Sequence, residues 1–438
     1  MPGRRSGKTP AGGSYQVQLR QAMSRFLPRA GLATLPGADG RLRWTERLLV
    51  VCAVLVAWDP SPALKDRFAA ARACLVGMFP GRRRPGATYA GFIAALAKAS
   101  EALLAAVTGH LRESVREAAG SCWEVCGWAV FGADGTKVDC PMTRANEESI
   151  GCSSRKKSWP QQLLTVLFHA GTGLPWAFAR GGARSSERSH LLAMLDTLPP
   201  NAMLLADAGF TGYDLLKAVT DSGRSFVIRV GSNVRLLTKL GYAARESDGL
   251  VYLWPDAKQK KRMEPLVLRR VTLTDGRNRT IHLLTDVLDA GRLSDAAAVE
   301  VYRLRWGAEL LFRSLKQTLA RRKVLSDCPA HARVELDWAA VGLWLLALMN
   351  AHAAGAGGRP STASALRAVR SAMAGRGGGL WAALSRAVRD TYRRRGAKTA
   401  RHWPHKKRDK PPGDPKARTA TAEEVALAME LKRQRPAA

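Results

Sequence analysis

Between residues 128 and 289, short apolar runs alternate with turns and helix-like segments, and this alternation limits the fold more than any other feature. The segment "WAVFGADGTKVDC" (128–140) has the pattern of a strand, a turn and a second strand. The segment "QQLLTVLFHAGTGLPWAFARG" (161–181) has that of a hairpin with Gly171 and Gly173 at its turn. Further strand-like runs are "NAMLLADAGF", "SFVIRVGSNV", "GLVYLWP", "EPLVLRRVTLT" and "RTIHLLTDVLD". Strands mixed with helices in this way predict an α/β domain with a mixed sheet.

The texture of the chain changes on both sides of this region. The patterns predict a flexible basic N-terminus at 1–40, and an all-α domain at 41–122 that either binds DNA or only packs. The α/β domain is predicted at 123–355, with a β-rich insertion at about 233–280. A C-terminal region with a helical piece and a basic tail is predicted at 356–438.

The net charge is +33 over 438 residues, which favours a polyanionic partner and places nucleic acid first. A basic structural protein, such as a ribosomal component, would have the same charge. The tail at 389–418 holds 12 Lys and Arg against 3 Asp, with Tyr392 and Trp403 among them, so it is expected to attract DNA without sequence preference.

Cysteines and apolar runs indicate a cytoplasmic protein. The seven cysteines contain no C-x2-C pair, which favours reduced thiols over a zinc site. The runs at 48–58 and 338–349 are shorter than the roughly 20 residues that a membrane span needs. No secretory signal is recognised at the start of the chain, and no membrane association is predicted.

The segment "VYRLRWGAELLFRSLKQTL" (301–319) concentrates polar groups on one edge of a predicted helix. At about 100° per residue, its members Tyr302, Arg305, Glu309 and Lys316 fall within roughly 60° of one another, beside a stripe of apolar side chains. One interpretation is a solvated amphipathic helix whose charges pair at i,i+4. The other is a functional edge that presents a phenol, a guanidinium, a carboxylate and an ammonium together.

Two aspartates follow apolar strand-like runs, Asp134 after "WAVFGA" and Asp207 after "AMLLA". Either residue alone is most simply a cap or a turn residue. With Glu309 they make three acids on separate elements, and their convergence on one point would require a cation to offset their repulsion. Carboxylate oxygens suit Mg²⁺ or Mn²⁺, and two such ions support phosphoryl transfer.

The stretch "YRLRWGAELLFRSLK" is Y-x2-R-x3-E-x6-K, and it resembles the Y-R-E-K signature of DDE transposases of the insertion-sequence-four group. The motifs "ADGT" around Asp134 and "ADAGFTGY" around Asp207 are similar to the first and second acid motifs of that family. The separation 309 − 207 = 102 residues leaves room for the family's β-strand insertion. Ala208 departs from the basic residue that many relatives carry there. The resemblance covers about 128–330, roughly half of the chain.

The resemblance implies an RNase H-like catalytic domain. In it, Asp134, Asp207 and Glu309 would be both the catalytic residues and the ligands of two Mg²⁺ or Mn²⁺ ions. Glu187 and His190 in "SERSHL" would support this site from its surroundings.

The resemblance also implies residues that contact DNA. Tyr302, Arg305 and Lys316 would contact phosphates of the transposon end. Some relatives form a hairpin at this end and flip a base onto a tryptophan. Trp254 and Trp306 are the candidates here, and core packing is the alternative role for each.

The function implied is that of a bacterial insertion-sequence transposase, acting on transposon ends and target DNA as a homodimer. A freed 3′-hydroxyl at the element's end would attack target DNA by in-line phosphoryl transfer. Two alternatives remain open. One is an inactive, transposase-derived DNA-binding protein, and the other is a different RNase H-like metal nuclease, which would nick DNA without joining ends.

Overall fold

The computed structural model describes residues 15–28, 44–79, 84–153, 159–274, 280–355, 360–388 and 413–434. The chain divides into two compact units, each built from separate stretches of sequence. A helical unit comprises 1–118, 139–149 and 313–393, and a sheet unit comprises 119–138, 150–312 and 394–438. Tyr392, Trp403 and most of the basic tail lie outside the described residues, so the predicted DNA affinity of the tail stays a prediction.

The α-helices of the described residues are labelled in chain order. They are α1 (Tyr15–Phe26), α2 (Glu46–Trp58), α3 (Leu64–Met78), α4 (Tyr89–Ala119), α5 (Arg144–Ser149), α6 (Glu187–Met194), α7 (Tyr213–Asp221), α8 (Asp256–Lys260), α9 (Asp295–Arg303), α10 (Gly307–Arg313), α11 (Pro329–Ala354), α12 (Thr362–Met373), α13 (Leu380–Ser385) and α14 (Ala422–Gln434).

The strands are labelled in the same way. They are β1 (Glu124–Val125), β2 (Trp128–Asp139), β3 (Gln161–His169), β4 (Leu174–Gly181), β5 (Ala202–Ala206), β6 (Ser225–Val230), β7 (Arg235–Thr238), β8 (Leu250–Leu253), β9 (Leu266–Thr274), β10 (Thr280–Thr285) and β11 (Lys416–Thr419).

The helical unit is organised around α11, which packs against α1, α2, α12 and α13. Helices α2 to α4 lie within the segment predicted to be all-α (41–122), whereas α1 lies within 1–40, where a flexible N-terminus was predicted. The two apolar runs lie within α2 and α11. Trp58 at the end of α2 is fully buried, and its indole N–H donates to the Gly342 carbonyl of α11 at 2.9 Å. This hydrogen bond satisfies the polar end of a large buried side chain.

Two helical segments, Tyr89–Cys122 and Pro329–Ala354, are long and apolar enough to cross a membrane by length and composition alone. Both are longer than the apolar runs seen in the sequence. In Pro329–Ala354, 83% of the most apolar window is buried inside the protein, which is the position of a core helix. The segment Tyr89–Cys122 is less buried, but it carries Arg112, Glu113, Arg116 and Glu117 near its C-terminal end. Neither segment makes a case for a membrane span.

The sheet unit contains a mixed sheet with strand order β11-β7-β8-β9-β10-β6-β5-β2-β3-β4, and β1 pairs with β2 alone. Strands β2, β5 and β6 run parallel, and β3 and β4 form an antiparallel hairpin. The order β4-β3-β2-β5-β6 is that of an RNase H-like sheet. The predicted α/β class and mixed sheet are therefore confirmed.

One local prediction was wrong. The segment predicted as strand, turn and strand is the single strand β2, which continues through Gly135 to Asp139. Gly135 does not adopt a positive φ, so the backbone stays extended where a reverse turn was expected. The absence of a side chain at Gly135 leaves room for the carboxylate of Glu187.

In the sequence, strands β7, β8 and β9 and helix α8 come between β6 and β10, and in the sheet these strands extend it beyond β10. The C-terminal segment returns to this extension, where β11 pairs in parallel with β7. Ala428 and Leu431 of α14 pack in a core cluster with Leu237, Tyr252 and Trp254.

Candidate active site

Two aspartates lie side by side on neighbouring parallel strands, Asp134 within β2 and Asp207 directly after β5. Gly132 of β2 is paired with Leu205 of β5. Two residues further along, this register sets Asp134 opposite Asp207, which follows β5 in an extended conformation (φ −87°, ψ −177°). Neighbouring strands are about 4.8 Å apart, so the sheet itself brings these two carboxylates together.

The Asp134 side chain is 22% exposed and lies in a strongly charged environment. Burial raises the pKa of this carboxyl, and the negative charges of Asp207 and Glu309 raise it as well. The Gly135 N–H donates to Oδ1 at 2.8 Å and lowers the pKa, as does the Arg305 guanidinium, whose Nη1 is 3.9 Å from Oδ2. The pKa of Asp134 is raised on balance, because the lowering effects of the Gly135 N–H and Arg305 are smaller than the raising effects of burial, Asp207 and Glu309.

Asp207 is held by the turn that follows it. It caps a 3₁₀ turn at Ala208–Phe210, and its Oδ1 accepts a hydrogen bond from the Gly209 N–H at 2.8 Å. The Arg188 side chain of α6 donates from Nε to the Gly209 carbonyl at 2.9 Å. The capping role considered for this aspartate is therefore real, and it also fixes the direction of the carboxylate.

Glu309 lies in the first turn of α10 and is exposed. The segment that carries it is not the continuous α-helix that was predicted. It consists of α9, a 3₁₀ turn at Leu304–Trp306, α10 and a π-helical turn at Ser314–Thr318. A uniform 100° per residue does not describe such a segment, so the continuous α-helix on which the predicted common edge was based is not present. Changes of helix type within one helix often occur at functional sites.

Close packing seats α10 on the sheet. Phe168 of β3 is fully buried, and its ring lies against Gly132 of β2 and Gly307 at the start of α10. A Cβ on Gly307 would lie only 2.5 Å from Phe168 Cε2, so only glycine permits this approach. The position of Glu309, two residues later, depends on this contact.

A fourth carboxylate, that of Glu187, lies beside the two aspartates. Glu187 opens α6, and burial raises its pKa, with further upward contributions from Asp134 and Asp207 and a downward one from Lys137. Sequence reasoning placed it only in the surroundings of the site. The signal available was its position directly after the N-cap Ser186, in the first turn of α6.

The aromatic and basic residues around Arg305 form a compact group. The Arg305 guanidinium lies 5.8 Å from the ring centroid of Tyr302 and 5.6 Å from that of Trp306. Burial raises the pKa of Tyr302, and the guanidiniums of Arg305 and Arg229 oppose that rise. Trp306 is 59% exposed, so its ring face is available to a partner.

Three further residues singled out in the sequence have other immediate surroundings. Lys316 belongs to the helical unit, where burial lowers the pKa of its ammonium and Asp139 opposes this effect. Trp254 is buried in the core cluster against α14, and its indole N–H donates to the Met263 carbonyl at 2.6 Å. His190 is buried, with Nδ1 2.9 Å from Thr165 Oγ1 of β3.

Within the described ranges, no three His, Cys, Asp or Glu side chains are arranged closely enough to enclose one metal ion. The chemistry of the acids nevertheless fits a hard divalent cation, because all of them offer carboxylate oxygens. Burial raises the pKa of Asp134, and repulsion from Asp207 and Glu309 raises it further; a cation would offset that repulsion. Asp134 and Asp207 are fixed by backbone hydrogen bonds, and Glu309 is exposed at the start of a helix.

Comparison with known proteins gives a consistent result. Residues 130–345 match the sequence profile of the Transposase DDE domain family. The chain is 26% identical over 209 residues to Transposase InsG for insertion sequence element IS4 from Escherichia coli strain K12, covering 45% of this chain and 46% of that protein. It is 31% identical over 152 residues to Putative transposase y4zB from Sinorhizobium fredii strain NBRC 101917 / NGR234, covering 33% of this chain and 42% of that protein.

The matched region therefore spans less than half the length of either curated relative. Among solved structures, a cryo-EM structure of piggyBac transposase in a synaptic complex with hairpin DNA aligns with a TM-score of 0.41 and 11% sequence identity. That alignment covers 87% of this chain and 80% of the other.

Proposed function

Because the chain belongs, through residues 130–345, to the Transposase DDE domain family, we propose that its sheet unit carries the active site of a DNA transposase. The family expected from the Y-R-E-K stretch is thus confirmed, and the site and its chemistry are the proposal. The observation that carries it is geometric: the register of β2 and β5 sets Asp134 opposite Asp207, and Arg305 of the Y-R-E-K stretch lies 3.9 Å from Asp134. Burial raises the pKa of Asp134, and the negative charges of Asp207 and Glu309 raise it further, which supports the grouping of the three acids.

Asp134, Asp207 and Glu309 would hold divalent cations, Mg²⁺ or Mn²⁺, as proteins of this family generally do. Two bound ions would supply activation of an attacking oxygen and stabilisation of a leaving oxygen. The protein itself would hold the three acidic side chains in position. The Gly135 and Gly209 amides orient the two aspartates, and the contact of Gly307 with Phe168 sets the position of α10.

The group around Arg305 is proposed to bind the DNA end. Arg305 would attract a phosphate, with Tyr302 beneath its guanidinium. Trp306 is exposed and can stack on an unpaired base, whereas Trp254 is held in a core. Lys316 remains a proposed phosphate contact. The net charge of +33 supports DNA as the partner at both the donor and target steps.

The proposed reaction has two phosphoryl transfers. Water first breaks the phosphodiester at the element's end and leaves a 3′-hydroxyl. That hydroxyl then attacks a phosphorus of target DNA, forming a new O–P bond as the target's own P–O3′ bond breaks. No covalent protein intermediate is required. We propose that a homodimer holds two ends during these steps.

The test is Asp134→Asn, with the exposed Asp196→Asn as the matched control. The Asp134 variant is expected to lose Mg²⁺-dependent cleavage and joining of DNA that carries the element's ends, while its affinity for that DNA is kept or increased because a negative charge is lost. The control should behave as wild type. Equal cleavage by wild type and the Asp134 variant would refute the site. Wild-type binding without cleavage would indicate an inactive DNA-binding protein, and nicking without joining a different nuclease.

A further inference from the structure

We infer that Glu187 is a fourth carboxylate of the proposed active site, and that its negative charge strengthens the binding of the divalent cations there. This inference rests on the proposed function. It concerns a residue outside the D-D-E set, located on a fourth element, α6.

Gly135 makes the space that Glu187 occupies, and Gly209 lies beside the same carboxylate. A Cβ on Gly135, next to Asp134, would overlap Glu187 Oε1. A Cβ on Gly209, in the turn after Asp207, would lie 3.8 Å from Glu187 Oε2. The carboxylate therefore lies over the backbone next to each aspartate, in β2 beside Asp134 and in the turn after Asp207. This explains why β2 contains a glycine in extended conformation, where no turn needs one.

The position of Glu187 is fixed by its neighbours on α6. Ser186 caps the helix by accepting a hydrogen bond from the Arg188 N–H. The Arg188 side chain donates to the Gly209 carbonyl, and the Gly209 N–H donates to Asp207. A chain of hydrogen bonds thus ties the first turn of α6 to the Asp207 carboxylate, and Glu187 lies in that first turn.

The charged surroundings of Glu187 indicate a role in cation binding and not only in packing. Within the described part of the chain, no N–H or O–H group donates a hydrogen bond to the Glu187 carboxylate, although the side chain is half-buried. The acids Asp134 and Asp207 face it, and Lys137 is the basic residue that acts on it. A carboxylate with these neighbours is unfavourable on its own and becomes favourable when a cation is bound nearby.

The experiment measures Mn²⁺ binding to the full chain without DNA by electron paramagnetic resonance, so that activity is not the readout. Glu187→Gln keeps the size of the side chain and removes its charge. It is expected to weaken Mn²⁺ binding about 10- to 100-fold, the range found for residues that support metal sites from their surroundings. The control Glu300→Gln removes the same charge from an exposed position on α9 and is expected to leave Mn²⁺ binding unchanged.

A second variant tests the geometry. Gly135→Ala is expected to displace Glu187 and to weaken Mn²⁺ binding in the wild-type background, but to have little further effect in the Glu187→Gln background. Equal losses in both backgrounds would mean that alanine acts through Asp134 and would overturn the geometric argument. Thermal unfolding of each variant verifies that it is folded.

The same titration separates this inference from the proposed function, with Asp134→Asn included as the reference. Weak binding by Asp134→Asn together with wild-type binding by Glu187→Gln would refute the role of Glu187 and leave the site standing. Wild-type binding by both variants would refute the site itself. If Glu300→Gln weakened Mn²⁺ binding as much as Glu187→Gln, the weakening would be explained by the change in net charge, and the specific role of Glu187 would be refuted.

Discussion

Glu424 is expected to hold the C-terminal segment on the sheet through an acid-sensitive network. Its Oε2 accepts a hydrogen bond from the Thr421 N–H at 2.8 Å, and the Thr421 hydroxyl accepts one from the Glu424 N–H at 3.2 Å. This is the reciprocal capping of a helix N-terminus, here that of α14. The Arg418 guanidinium of β11 also binds both carboxylate oxygens, at 2.7 and 2.6 Å.

The size of the effect follows from the pKa of Glu424, which the hydrogen bonds from Arg418 lower from 4.5 to about 2. A fall of that size corresponds to about 3 kcal/mol if it is taken entirely as stability. The Arg418 side chain is 53% exposed, and solvent weakens such pairs, so we expect about 1–2 kcal/mol. Because the pKa is lowered in the folded state, this stability is present above pH 4.5 and is lost as the pH falls toward 2.

Glu424→Gln should therefore increase amide hydrogen exchange in α14 about 5- to 30-fold at neutral pH, while the buried strands β5 and β6 keep their protection. Glu423→Gln is the matched control, because it removes the same charge from the same helical turn at an exposed position. The wild-type protein should lose protection of α14 between pH 4.5 and 2. Exchange in α14 that is equal in both variants, or independent of pH in that window, would refute the reasoning.

Two further predictions concern the site. Gly307→Ala should destabilise the protein by about 1–3 kcal/mol, since its methyl group would overlap the buried Phe168 ring. It should also reduce DNA cleavage by moving Glu309. Urea unfolding measures the loss of stability and a cleavage assay the loss of activity, with Gly378→Ala as the control because a Cβ there has no atom within 4 Å. Unchanged stability would contradict the contact. Arg305→Ala should reduce the slope of log affinity for element-end DNA against log salt by about 0.9, the value for one phosphate contact; an unchanged slope would leave Arg305 a structural partner of Tyr302 and Trp306.

The central part of the fold was predictable because its signals are local. Apolar runs of strand length, and the glycines between β3 and β4, predicted the hairpin that the structure contains. The proximity of Asp134 and Asp207 was predictable from the same runs in part, since each aspartate comes directly after a buried stretch, and the parallel register of β2 and β5 places them opposite each other. That β2 pairs with β5 could not be predicted from either apolar run alone.

The C-terminal return to the sheet was not predictable for the same reason. The strand β11 has the sequence "KART", all four of its residues are exposed, and its partner β7 lies about 180 residues earlier in the chain. Short exposed strands carry no alternation of apolar and polar side chains that a sequence pattern could detect. What holds β11 in place is the apolar face of α14 and the Arg418–Glu424 pair, and both become apparent only when the segments meet.

The Y-R-E-K segment shows where a uniform periodicity fails. An edge of residues at steps of three, four and seven requires α-helical geometry throughout, but the chain tightens to a 3₁₀ turn at Leu304–Trp306 and widens to a π-helical turn at Ser314–Thr318. Arg305 lies in the first of these turns and Lys316 in the second, so both basic members of the signature have left the regular helix. Irregular helical turns are frequent at functional sites, and predictions from regular helical periodicity are expected to fail there. The motif letters therefore identified the family, while the uniform helical projection that made the four residues look adjacent does not describe the backbone of this segment.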